Sequence, residues 1–238
     1  MEAVDYLWPG GPRLMRREGV FKLGTDSVLL GHFARPEGAR RALDLGCGGG
    51  VLGLMLLGRR SALTVDGVER DGAALALCRE NVALNGLEDR FRLLPGDYRD
   101  YRALLEAGAY DLAVSNPPYF PRGSGFASET LDHARREEAT LPELCAAAAW
   151  ALRWGGRFAL VHRPERLSEL FCALSAAGLE PKRLRLVQKR PEAAPSLVLA
   201  EAVRGAKPGL LIEPPLLLTG PEGGESEEIQ RIYGREGL

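Results

Sequence analysis

Asn116-Pro117-Pro118-Tyr119 follows an apolar run, "YDLAVS". These residue types suit one task. The Asn116 side-chain oxygen and the Pro117 carbonyl can each accept an N–H bond from one flat amino group. The nitrogen of such a group is conjugated and poorly nucleophilic. Two acceptors would favour a pyramidal nitrogen with its lone pair aimed outward. Pro117 and Pro118 fix the carbonyl direction, because the proline ring locks φ. Tyr119 can stack on the flat group, as aromatics do with unstacked bases. Phe120 would add apolar cover. Two prolines can neither continue a helix nor sit inside a sheet, so the stretch is a rigid loop leaving a strand.

A second constellation lies upstream. In "LDLGCGGG", Gly46, Gly48 and Gly50 carry no side chains to block a ligand. The loop N–H groups and the start of the following helix favour an electron-rich ligand. Glu69 ends the next strand, where an acid can accept hydrogen bonds from both hydroxyls of a ribose. The set points to a nucleoside. The phosphate-cradle spacing GxGxxG read from Gly46 is broken at Val51. Asp44 would repel a pyrophosphate but suits the ammonium of a methionine group. S-adenosylmethionine is therefore favoured over a dinucleotide. Asp97, in "PGD", offers an acceptor for an adenine amino group, or serves as a turn residue or helix cap. No metal is expected, because that cofactor carries its own leaving group.

These residues need a scaffold. From Arg41 onward, short apolar strands alternate with helices: "RALDL", "VLGLMLLGR", "ALTVDGVE", "DGAALALCRENVALNG", "FRLLP", "YDLAVS", "EATLPELCAAAAWALRWG", "GRFALVH" and "PERLSELFCALSAAG". "KRLRLVQ" and "SLVLAEAVR" close the set as an antiparallel pair. This order predicts an α/β fold, a doubly wound, mostly parallel seven-stranded sheet whose last strand is antiparallel. Ligands of such sheets sit outside the carboxyl ends of the strands, near the switch point. Residues 1–40 are expected to form an N-terminal appendage, with "RLMRREGVFKL" as a hairpin and "TDSVLLGHFA" as a helix capped by Thr25 or Asp26. The main domain covers 41–205. Residues 206–238 form a C-terminal appendage packed on it.

Bulk properties narrow the function classes. The chain of 238 residues has a net charge of -1, so no global charge marks it for nucleic acid. Only a local basic patch could serve. Cys47 sits in the glycine loop, while Cys78, Cys145 and Cys172 read as small core residues. No cysteine pair has CxxC spacing. The opening "MEAVDYLWPGGPRL" lacks a positive start followed by an apolar core, and no apolar run nears the ~20 residues of a membrane span. A cytoplasmic protein with reduced thiols is expected, with no membrane association, as a monomer or a homodimer.

The motifs "DLGCGGG", "VERD", "GD" and "SNPPYF" resemble those of class I S-adenosylmethionine-dependent methyltransferases acting on amino or amide nitrogen. "FKLGTDSVLLGHFA", "HARREEATLPEL" and "EEIQRIYG" are similar to flanking segments of the bacterial tRNA1(Val) adenine-37 N6-methyltransferase family. The resemblance spans nearly the whole chain. It implies a Rossmann-like fold and N6 methylation of adenosine 37 in a valine tRNA. It also implies that Asp44, Gly46 and Gly48 line the methionine end of the cofactor, with Cys47 in the same binding loop. Glu69 would hold the ribose and Asp97 the adenine. Asn116, Pro117, Pro118 and Tyr119 would hold the target base, with Asn116 touching the cofactor too. Thr25 and Asp26 would close over the methionine group.

One departure stands out. Related RNA-binding enzymes often carry a distinct basic domain, and none is evident here. RNA would be held by local groups such as Arg13, Arg16, Arg17, Arg135, Arg136, Lys189 and Arg190, with His133 nearby. The same loop serves enzymes that methylate protein glutamine, ribosomal RNA or DNA. A nicotinamide dehydrogenase is disfavoured by Asp44 and the "NPPY" loop. A non-catalytic nucleotide- or RNA-binding module is disfavoured by the intact Asn116–Tyr119 segment.

Overall fold

The computed structural model describes residues 2–17, 24–118 and 140–234. Arg41 begins the alternation as expected. β3 (Arg41–Leu45), β4 (Thr64–Glu69), β5 (Phe91–Pro95) and β6 (Tyr110–Ser115) are parallel neighbours in the order β6-β3-β4-β5. β3 and β6 are buried along nearly their whole length, as strands covered on both faces must be. The crossover helices are α2 (Val51–Arg59) and α3 (Gly72–Leu84), with the single turn α4 (Tyr101–Leu104) before β6. α5 (Leu141–Ala151) and α6 (Leu167–Ala176) cover the other face, where Leu144, Ala148 and Leu170 pack on Leu43, Ala113 and Phe158.

β7 (Leu152–His162) pairs parallel with β6. β9 (Leu197–Arg204) lies antiparallel between β7 and β8 (Leu179–Gln188). Those seven strands match the expected sheet. Among the described residues the sheet has nine, because β10 (Leu211–Ile212) and β11 (Leu216–Leu217) both add parallel to the outer edge of β8. Two-residue strands are too short to leave a periodic pattern. The helix expected from "EATLPELCAAAAWALRWG" stops at Ala151, and β7 starts at once. Its backbone turns at Gly155, where φ is 76°, and the register with β6 shifts.

The N-terminal hairpin also differs from expectation. Its strands are β1 (Glu2–Tyr6) and β2 (Arg13–Arg17), so "RLMRR" pairs with the residues before it. β2 is fastened to α3: Arg13 N–H donates to Asn85 Oδ1 at 2.7 Å, and Met15 N–H donates to Asn81 Oδ1 at 2.6 Å. α1 (Thr25–Phe33) packs on α2 on the same face of the sheet. Its N-cap is Gly24, and no side chain caps it. The expected Thr25 or Asp26 cap is therefore incorrect, since both residues lie already within the first turn. α7 (Glu227–Ile232) returns over the α1 face, burying Ile229 and Ile232 in the same core as Leu29 and Val161. Cys78 and Cys145 are core residues as expected, whereas Cys172 is exposed.

Candidate functional site

A cleft of about 230 Å³ opens at the carboxyl ends of β3, β4, β5 and β6. Leu45 and Gly46 come from the end of β3, Val68, Glu69 and Arg70 from β4, and Gly96, Asp97 and Tyr98 from the turn after β5. Asn116, Pro117 and Pro118 come from the exit of β6. Two motifs about 70 residues apart in the chain thus face one space.

The glycine loop is held from below. Gly46 and Cys47 N–H both donate to the Val68 carbonyl, at 2.9 and 3.0 Å. Gly50 has φ 86°, and a Cβ there would meet Cys78 Sγ at 2.6 Å, so a side chain at position 50 would strain the loop. Asn81 of α3 donates to the Gly49 carbonyl at 2.9 Å. The Cys47 thiol does not face the cleft. It lies in the core beside Gly67, and its contact with Cys78 together with burial pushes its pKa up. Cys47 can offer a ligand only its main chain.

Glu69 is set in place by two backbone donors. Its Oε2 accepts from Gly48 N–H at 2.9 Å and its Oε1 from Asp71 N–H at 2.8 Å. The carboxylate thus spans the glycine loop and the start of α3. Asp97 lines the cleft and also caps a short helical turn, accepting from Arg99 N–H at 2.9 Å. Asp97 is thus a cap, as one sequence reading allowed, and it also stands on the cleft wall. Burial works against its charge. Hydrogen bonds from Arg99 and the nearby Arg70 guanidinium outweigh burial and hold the carboxyl below its usual range. Tyr98 went unnoticed in the sequence. Burial first, then Asp97, pushes its phenol up to about 12, so it stays neutral on the cleft wall.

Asp44 is wholly buried and absent from the cleft wall. Its Oδ2 accepts from Gly53 N–H of α2 at 3.1 Å, and its Oδ1 has no partner among the described residues. Burial raises its carboxyl to about 7, against the Gly53 hydrogen bond and with help from Glu69. A buried carboxylate oxygen without a donor is the kind of group a cationic ligand would compensate. Thr25 and Asp26 stand at the start of α1 and are not among the residues that line the cleft. Asn116 is tied to α1 by a residue that sequence reading missed: its Nδ2 donates to Ser27 Oγ at 2.8 Å. Ser115, one residue earlier, donates to the Leu45 carbonyl at 2.7 Å and locks the exit of β6 to that of β3.

Tyr119, Phe120, His133, Arg135 and Arg136 lie outside the described residues. Arg13 and Arg17 are engaged with α3, through the Leu84 carbonyl and Glu80. Lys189 and Arg190 are exposed in the loop after β8, on the cleft's end of the sheet. Among the described residues no group of three or more His, Cys, Asp or Glu could hold a metal ion. None of the described helices is long and apolar enough to cross a membrane.

Comparison with known proteins agrees with this architecture. The crystal structure of a predicted O-methyltransferase from Agrobacterium tumefaciens superposes with a TM-score of 0.71 at 21% identity, covering 90% of this chain and 98% of that one. Pyrococcus horikoshii TYW2 in complex with MeSAdo superposes with a TM-score of 0.59 at 17% identity, covering 86% and 72%. The family model of the methyltransferase small domain matches residues 14–170. Fold and family match together define a class I S-adenosylmethionine-dependent methyltransferase. The tRNA1(Val) (adenine(37)-N6)-methyltransferase of Tolumonas auensis is 36% identical over 180 residues, 75% of this chain and 74% of that one. The protein of the same name from Porphyromonas gingivalis is 35% identical over 188 residues, 76% and 73%. The chain belongs to the tRNA1(Val) (adenine(37)-N6)-methyltransferase family.

Proposed function

We propose that this protein methylates the N6 amino group of an adenine in tRNA, and that the adenine is nucleotide 37 of a valine tRNA. One observation carries the reading. Asn116 and Pro117 share a single cleft with Glu69 and Asp97, so base-holding and nucleoside-holding groups converge. When bound, S-adenosylmethionine supplies an activated methyl group with its leaving group attached.

The residues divide the work. Glu69, already oriented by Gly48 and Asp71, accepts from the ribose hydroxyls. Asp97, kept ionised, accepts from the cofactor's adenine amino group. Gly46, Cys47 and Gly48 present main chain to the methionine end. The Asp44 carboxylate beneath them supplies negative charge. Thr25 and Asp26 close that end from the start of α1. Asn116 Oδ1 and the Pro117 carbonyl accept the two N–H bonds of the target amino group, Pro118 stiffens the turn, and Tyr119 stacks on the base. Exposed Lys189 and Arg190 face the phosphate backbone. The cytoplasm is the compartment assigned to this reaction.

The test uses purified protein, tritiated S-adenosylmethionine and total tRNA from a strain lacking the activity. Nucleoside digestion should place label in N6-methyladenosine of a single valine tRNA. No label in any tRNA, with firm cofactor binding, would overturn the reading. Protein glutamine, ribosomal RNA and DNA would then be tried in turn.

A further inference from the structure

The side-chain amide of asparagine has two nearly isosteric ends with opposite hydrogen-bonding character. Only the oxygen end can receive an amino group. The loop backbone at Asn116 places the side chain but does not select which end faces the cleft. A serine hydroxyl both donates and accepts, so a serine partner fixes the plane and reach of the amide rather than choosing its end.

We propose that Ser27 is a positioning residue that holds the Asn116 side-chain amide and so fixes the plane in which it meets the substrate amino group. The inference rests on the reading of Asn116 given above. Ser27 Oγ accepts from Asn116 Nδ2 at 2.8 Å, and Ser27 is only 6% exposed. Exchange with water therefore does little to weaken the bond. The support behind it is rigid. The neighbours Val28, Leu29 and Leu30 are at most 1% exposed in the core. The far end of α1 is clamped by Arg59 of α2, whose guanidinium donates to the Gly31 and Ala34 carbonyls at 2.6 and 2.8 Å. On the strand side, Ser115 fixes the residue before Asn116 to β3. The amide is thus held between a packed helix and a packed strand, as a preorganised acceptor should be.

Four variants test this: Ser27→Ala, Ser27→Thr, Asn116→Ala and the Ser27→Ala/Asn116→Ala double variant. In single-turnover methylation, Ser27→Ala should slow the rate roughly 10- to 100-fold, the size of effect expected from a misplaced reacting geometry. The dissociation constant for cofactor should change less than threefold. Ser27→Thr, which keeps the hydroxyl, should recover most of the rate. In the Asn116→Ala background, Ser27→Ala should cost less than twofold, because the residue it acts through is gone. An unchanged rate in Ser27→Ala, or an equal loss in both backgrounds, would overturn the proposal. A substrate-free readout separates this from the function itself. In 15N-labelled protein, the Asn116 side-chain NH2 pair, identified by its absence in Asn116→Ala, should move toward free-amide positions in Ser27→Ala. If wild-type protein methylated no tRNA, the proposed function would fail, and this spectrum would still decide whether Ser27 holds the amide.

Discussion

Asp44 and Asp66 sit on adjacent parallel strands, one pairing step apart, and both are buried. Their surroundings are opposite. Asp66 faces the amino ends of the strands. It accepts from Arg92 Nε at 3.0 Å, Arg41 Nη2 at 3.1 Å and Tyr110 Oη at 2.5 Å. Burial would raise its pKa, but Arg92, Tyr110 and Arg41 together hold it below the usual range. Asp44 faces the carboxyl ends. It has one backbone donor and an oxygen with no partner, and its carboxyl rises to about 7. The same side chain is a satisfied tie at one position and a poorly compensated charge one step along, on the opposite face of the sheet. Unpaired buried charge is costly, so its position beneath the cleft points to a ligand-facing task. Stability is concentrated where the strands begin and chemistry where they end.

The largest expected effect lies at the chemical end. Asn116→Ala should lower methyl transfer by about 10²–10³-fold, the range seen when one preorganised polar group is removed. Cofactor affinity should stay within threefold. Isothermal titration beside a rate assay checks both, and a parallel loss would place Asn116 in the cofactor site instead.

The pH dependence of folding comes next. Asp44 is raised from the usual 3.8 to about 7. The folded state therefore binds its proton more tightly than the unfolded state. The resulting stabilisation is complete below pH 4, declines as pH rises, and is gone above about pH 7. Compared with Asp44→Asn, the wild type should lose about 4 kcal/mol across that window. Urea titrations at several pH values would show it. A constant difference between the two proteins would mean Asp44 titrates normally.

Asp66 has the opposite sign. Its lowered pKa contributes stability above the ordinary carboxylate range, which is lost as pH falls through the folded value. Asp66→Asn should cost about 2 kcal/mol at pH 7 by breaking the Arg41 and Arg92 bonds. The melting temperature should fall, while the rate per folded molecule stays as it was. A change in rate without a change in melting would dissolve the contrast between the two ends.

The smallest effect sharpens the comparison. Asp44→Asn should weaken cofactor binding by about tenfold, or ~1.4 kcal/mol, without lowering stability at pH 8. A large stability loss there would make Asp44 a tie like Asp66.

Local chemistry made much of this legible. Gly50 and Val51 mark the loop-to-helix step, and α2 spans the apolar run expected for it. Glu69 and Asp97 reach the cleft because each stands at the carboxyl end of a strand, and a parallel sheet ends its strands on one side. Asp44 was legible as an acid in the loop motif, but not as a carboxylate enclosed behind it. The β1 strand, the break between Ala151 and Leu152, and the pairs β10 and β11 were not legible. Each depends on a partner strand rather than on its own pattern.

The sequence by itself determined the alternating order of strands and helices, the glycine loop, the acids at the carboxyl ends of β4 and β5, and the rigid exit at Asn116. Those features arise from periodicity, ring constraints and spacing within a few residues. Only the tertiary structure decided that Ser27, 89 positions before Asn116, accepts from its amide. It also decided that Arg41, Arg92 and Tyr110 converge on Asp66 while Asp44 keeps an unmatched oxygen. Hydrogen bonds between distant segments exist only once the sheet has set which strand ends meet, and that ordering is a property of packing.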